Sequence, residues 1–178
     1  VTLRIEKSGL GDSQNTPPCE SCDLKDEIEN FAVGLQKLRS LPYVDTSRWV
    51  VAGQSVGGLT SVATVGRSPA GLVGGINFSG GTGGNPDNNP GRPCNPGATT
   101  QYWGQIAKDA KVPMLWLYWE NDKYWGPDIP KDWHQAWTRG GGQAQFTSFG
   151  PSGDNGGCFG ANVIELKDKL QNMGAQMV

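Results

Sequence analysis

Apolar and polar positions along this 178-residue chain follow two periods in turn. Val1-Thr2-Leu3-Arg4-Ile5 alternates residue by residue, as a half-buried strand does. From Leu24 the period lengthens. Leu24, Ile28, Phe31, Leu35 and Leu38 recur at helical spacing, with Asp23 in the N-cap position, Asp26 where a capping box places Glu, and Pro42 closing the segment. The apolar run Trp49–Ala52 predicts a strand and Val56–Val65 a helix. Leu72–Phe78 predicts a further strand, and Gly80 to Gly97 reads as a glycine- and proline-rich loop. A short helix over Thr100–Ala110 follows. Val112–Tyr118 is unbroken in its apolarity, as expected of a strand buried on both faces. Lys131–Trp137 predicts a helix and Gln143–Ser148 a strand. Ala161–Met173 predicts a last helix, with Val163, Ile164, Leu166 and Leu170 as its apolar positions.

Five strands alternating with helices predict a single α/β domain over residues 1–178, built on a doubly wound, mostly parallel sheet. In such sheets the chemistry gathers in the loops at the carboxyl ends of the strands. The formal net charge is −2 with Lys and Arg scattered, which argues against nucleic acid or an anionic membrane surface as partner. No apolar run reaches the roughly 18 residues of a membrane span. The 27 glycines cluster in loops, which fits a loop-rich enzyme better than a helical bundle.

The candidate chemistry sits between the second strand and its helix. Gly53-Gln54-Ser55-Val56-Gly57 matches G-x-S-x-G in a strand-turn-helix context. The sharp turn forces the serine into strained backbone space, and a side chain at Gly53 or Gly57 is expected to clash with the neighbouring strand or helix. The hydroxyl then stands at the carboxyl end of the sheet, over a helix N-terminus whose free N–H groups suit an oxyanion. The alternative is a glycine-rich turn with a bystander serine.

An activated serine needs a base, and the base an orienting acid. Asp122 lies a short turn beyond the fourth strand, in Trp119-Glu120-Asn121-Asp122, and the order Ser then Asp is that of hydrolases. Glu120 competes for the role, and a turn-capping aspartate is the plain alternative. The base belongs after the last strand, in the loop Gly150 to Gly160, which holds no histidine. The single histidine, His134, falls in the helix before that strand and reads as an amphipathic surface residue.

Cys19 and Cys22 form C-x-x-C, with no second pair or histidine nearby to complete a zinc site. No cofactor or metal is implied. Cys94 and Cys158 both fall on loops above the active face and are expected to bridge. Such loops with an even number of cysteines fit an exported protein.

Four stretches together resemble the α/β-hydrolases of the dienelactone-hydrolase-like group. They are Arg4–Ser13 with Pro18-Cys19, Gly53–Gly58, Pro113–Tyr118 leading to Glu120-Asn121-Asp122, and Gly153–Gly157. The resemblance implies Ser55 as nucleophile, Asp122 as acid and the Val56 N–H as an oxyanion donor. It implies hydrolysis of a small-molecule ester, less readily an amide, through an acyl-enzyme. Two positions depart from the pattern. Gly157 stands where such proteins carry the histidine, and Trp119 where they often carry glycine. At the front, such a sheet has strands before the one that Val1–Ile5 resembles, including a central strand whose loop supplies the second oxyanion donor. The domain is therefore expected to be N-terminally incomplete, with an upstream segment of the same protein as partner; the alternative is a sheet closed over the gap in a different order. The rival class is a non-catalytic binding protein on a hydrolase scaffold, which the missing histidine favours. Trp103, Trp119, Tyr124 and Trp125 would suit an aromatic or apolar substrate, or serve only as packing.

Overall fold

The computed structural model describes residues 24–151. Four strands and four helices alternate: α1 (Leu24–Arg39), β1 (Trp49–Gln54), α2 (Val56–Arg67), β2 (Leu72–Phe78), α3 (Pro96–Ile106), β3 (Met114–Trp119), α4 (Ile129–Arg139) and β4 (Ala144–Phe149). All pairings are parallel, in the order β1-β2-β3-β4. The registers place Gln54 beside Phe78, Phe78 beside Leu117 and Trp119 beside Phe149. Their carboxyl ends therefore line one edge. The predicted strand Val1–Ile5 and helix Ala161–Met173 lie outside the described residues, as does the cap at Asp23.

Each sequential parallel pair needs a crossover, and right-handed crossovers wound in one direction put their helices on one face. The packing shows this. One cluster joins Val51, Met114, Trp116 and Tyr118 from the strands to Ile28, Leu59, Val62, Val65, Trp103, Trp133 and Trp137 from all four helices. Phe78, Leu117 and Phe149, with Ile76, Leu115 and Trp119, form a second cluster to which no described helix contributes. Alternation along β3 explains the split, since Trp116 and Leu117 must point to opposite faces. Among the described residues no helix is long and apolar enough to cross a membrane.

Helix α3 begins four residues before the expected Thr100, at Pro96. Pro96 occupies the first helical turn, where its missing N–H removes nothing, and Asn95 precedes it at φ 51. The composition of a loop here starts a helix. A short 3-10 turn over Ala107–Asp109 then completes the predicted span.

Candidate active site

The turn from β1 into α2 is strained at one residue. Ser55 lies at φ 55, ψ −124, outside the space that L-residues favour. Three backbone hydrogen bonds hold it there. Its N–H donates to Phe78 O at 3.1 Å, and its carbonyl accepts the Gly81 N–H at 3.1 Å and the Leu59 N–H at 3.0 Å. A serine before a helix ordinarily caps it. Ser55 makes no side-chain cap and is exposed. Behind it the Val56 N–H is the first of the helix and has no acceptor within it.

The crowding is distributed differently from the expectation. A Cβ on Gly53 would overlap the Gly57 carbonyl, so glycine is required there. A Cβ on Gly57 would meet open space. The second tight position is Gly58, whose Cβ would press on Asn77 Oδ1 and come within 2.7 Å of Gly80 Cα. Position 58 faces the end of β2, whereas position 57 faces outward from the helix.

Ser55 stands at the end of β1 and Asp122 beyond the end of β3, two strand spacings away, or about 10 Å. Asp122 is buried. Its Oδ1 accepts the N–H groups of Tyr124 at 2.7 Å and Trp125 at 3.2 Å, so the carboxylate does cap its own turn. Its Oδ2 is buried with no hydrogen-bond partner among the described residues. Burial pushes its pKa up, and the two N–H groups and the neighbouring Ser79 hydroxyl pull it back. That hydroxyl is close enough to act on the charge, yet does not complete a hydrogen bond.

Between the two ends lies a buried polar network on β2 and β3. Asn77 donates through Nδ2 to the Tyr118 hydroxyl at 3.0 Å, which donates to Gly80 O at 2.7 Å. Gly80 precedes the residue that holds the Ser55 carbonyl. Burial pushes the Tyr118 phenol far above its ordinary range, so it stays a donor.

No protein-family model matches the sequence, and no curated protein does. Solved structures do. The acylaminoacyl peptidase of Pyrococcus horikoshii aligns over 85% of this chain and 27% of its own, at TM-score 0.59 and 14% identity. Dipeptidyl peptidase 4 of Porphyromonas gingivalis aligns over 86% and 23%, at TM-score 0.58 and 14% identity. A variant of SOBER1 from Arabidopsis thaliana aligns over 90% and 67%, at TM-score 0.54 and 19% identity. The chain has the α/β-hydrolase fold. It spans about a quarter of the length of the two peptidases it resembles.

Within this fold Ser55 and Asp122 lie beyond the carboxyl ends of β1 and β3, with the loop after β2 between them. Glu120 is exposed. Gly157, the expected vacant histidine position, lies outside the described residues, as do Asp154 and three of the four cysteines. Cys94 is disulfide-bonded, and Cys158, its expected partner, lies outside the described residues.

His134 is not the surface residue expected. It is half-buried, with Nε2 at 3.0 Å from Ala144 O and its ring against Trp116 and Phe146, at centroid distances of 5.7 and 5.3 Å. Helix α4 turns this face to the sheet, so the imidazole ties α4 to β4. Trp103 and Trp125 are also core residues. Trp119 packs on Phe149, and it and Tyr124 are the two of the four aromatics that flank the acid turn half-exposed. The sequence reading missed Asn77, Ser79 and Tyr118. A polar Asn inside the apolar run Leu72–Phe78 was the available signal, because a buried amide needs partners.

Proposed function

We propose that this chain is the nucleophile- and acid-bearing part of a serine hydrolase that cleaves an ester, less readily an amide, through an acyl-enzyme on Ser55. The observation that carries the reading is the Ser55 hydroxyl: exposed, uncapped, and held at φ 55 by backbone bonds from two elements. Strain of this kind persists where surrounding structure over-determines it, and it clusters at reactive sites.

In the reaction, Ser55 Oγ attacks the carbonyl carbon and its proton passes to a base. The oxyanion forms over the Val56 N–H at the start of α2. Collapse expels the alkoxide, which takes the proton back from the base, and water then repeats the sequence to free the acid product. Asp122 stabilises the protonated base from the far side, through the buried Oδ2. The dienelactone-hydrolase-like pattern supplies that base at position 157, where this chain has glycine. Turnover should therefore be very low, because loss of the base from a serine triad costs roughly 10⁶ in rate.

The glycine also favours a second reading, a binding protein on a hydrolase scaffold. A segment upstream of Val1 is proposed to complete the sheet and the oxyanion site. The disulfide at Cys94 supports an oxidising, exported location.

The test is turnover of a p-nitrophenyl ester by the chain, by Gly157→His and by His134→Ala, with the upstream segment present. Gly157→His is expected to raise the rate by several orders of magnitude, and His134→Ala to leave it unchanged where the protein folds. A fast parent that His134→Ala silences would overturn the placement of the base. A Ser55 that resists fluorophosphonate in every version would favour the binding protein.

A further inference from the structure

Four non-glycine residues adopt positive φ: Ser55, Ser68, Ser79 and Asn95. Three have evident reasons. Ser55 is the proposed nucleophile, Ser68 ends α2 in the left-handed conformation with its hydroxyl bonded, and Asn tolerates that conformation. Ser79, at φ 43 after β2, has none in its backbone, and the next two residues in the same loop are glycine.

Its surroundings supply one. Ser79 is buried, and its main chain is fully engaged. The N–H donates to Leu117 O at 2.8 Å, and the carbonyl accepts the Trp125 indole N–H at 2.8 Å. The same Trp125 donates its backbone N–H to Asp122 Oδ1. One tryptophan therefore clamps both Ser79 and the acid. The two polar atoms left over are Ser79 Oγ and Asp122 Oδ2, neighbours that are both buried and both without a hydrogen-bond partner among the described residues.

We propose that Ser79 is a positioning residue for the acid: its hydroxyl donates to Asp122 Oδ2 and orients the carboxylate so that the other lone pair of that oxygen faces the base. This rests on Asp122 as the acid. Two orphaned buried groups each carry a desolvation penalty, and a bond between them removes both. A carboxylate oxygen has two acceptor sites, so the hydroxyl does not displace the base. The bond also closes a ring through Asp122, Trp125 and Ser79, which fixes the acid against β2 rather than its own loop alone. Serine persists in a backbone state where glycine would be relaxed because the hydroxyl has this task.

The other titratable group that acts here is the Tyr118 phenol, which stays protonated; Glu120 and Lys123 are exposed. The test is a carbon-13 carboxyl titration of the whole chain, with the Asp122 resonance identified by its loss in Asp122→Asn. Ser79→Ala keeps the backbone strain and Ser79→Gly relieves it, but both remove the hydroxyl. Both are expected to move the Asp122 midpoint up by similar amounts, because a donor to the charged form is lost. A midpoint unmoved in both, or moved in only one, overturns the proposal. In Gly157→His, adding Ser79→Ala should lower kcat about tenfold, the worth of one charge-assisted bond, with KM unchanged. An unchanged kcat overturns the positioning role. No ester turnover from Gly157→His itself sinks the serine-hydrolase reading instead, and the titration still decides the hydrogen bond.

Discussion

Two serines bracket α2, and both have positive φ. Ser68, at the C-terminal end, sits at φ 42, ψ 55. Its N–H donates to Thr64 O and Val65 O, its hydroxyl donates to Val65 O at 2.8 Å, and Ser68 Oγ accepts the Lys111 N–H at 2.8 Å. Ser55, at the N-terminal end, has an equally engaged backbone and a hydroxyl in no cap. Strain alone therefore does not mark a reactive residue. At Ser68 the unusual backbone serves the hydroxyl's structural bonds. At Ser55 the backbone is held so that the hydroxyl faces outward.

The sharpest way to break this contrast is chemical. Ser55→Ala should abolish fluorophosphonate labelling, and Ser68→Ala should leave the labelled fraction unchanged. Labelling that survives Ser55→Ala would remove the nucleophile assignment. In the same comparison, Ser68→Ala should cost about 1 kcal/mol of stability in urea denaturation, since a helix-ending hydrogen bond is lost. Ser55→Ala should leave stability nearly unchanged, having no cap to lose.

Next in size are the glycines that hold the elbow. Gly53→Ala drives a Cβ into the Gly57 carbonyl, a backbone overlap that no rotamer relieves. A loss of about 3 kcal/mol is expected, together with loss of labelling. Gly57→Ala enters open space and should fall within about 1 kcal/mol of the parent, on the stabilising side, by helix propensity. Equal losses at the two positions would contradict the geometry of the turn.

The smallest effect concerns the acid. Burial raises the Asp122 carboxyl above its ordinary value, so the folded state binds a proton more readily than the unfolded chain. The ionised group then penalises folding, fully so above the raised pKa, and the penalty vanishes below the ordinary carboxylate range. Asp122→Asn keeps the Oδ1 acceptor and removes the charge. It should raise the melting temperature at neutral pH and give no gain in strong acid. A gain of equal size at both pH values would mean that charge is not the cause.

Much of the architecture was legible because it rests on local periodicity. Trp49–Ala52, Leu72–Phe78 and Gln143–Ser148 became strands within two residues of their predicted ends, and α1 follows the spacing of Leu24 through Leu38. The errors share a cause. Pro96 and Gly97 read as loop by composition, although proline suits a first helical turn. The clash expected at Gly57 belongs to Gly58, because which glycine faces β2 depends on how α2 docks. The amphipathic pattern of Lys131–Trp137 predicts a surface position for His134, whereas α4 turns it onto Trp116 and Phe146.

By itself the sequence determined the parallel α/β alternation, the elbow at Ser55 and the carboxylate beyond the fourth predicted strand. Each depends on residues close together in the chain, where period, turn chemistry and glycine content act directly. Only the tertiary structure decided that Asp122 keeps one oxygen buried and unpaired among the described residues, that Asn77 and Tyr118 brace the loop beneath Ser55, and that the Ser79 hydroxyl is buried without a partner among them. Those relations join residues some forty positions apart, as Asn77 and Tyr118 are, across neighbouring strands. Burial and hydrogen-bond satisfaction are properties of the packed sheet, and no local pattern encodes them.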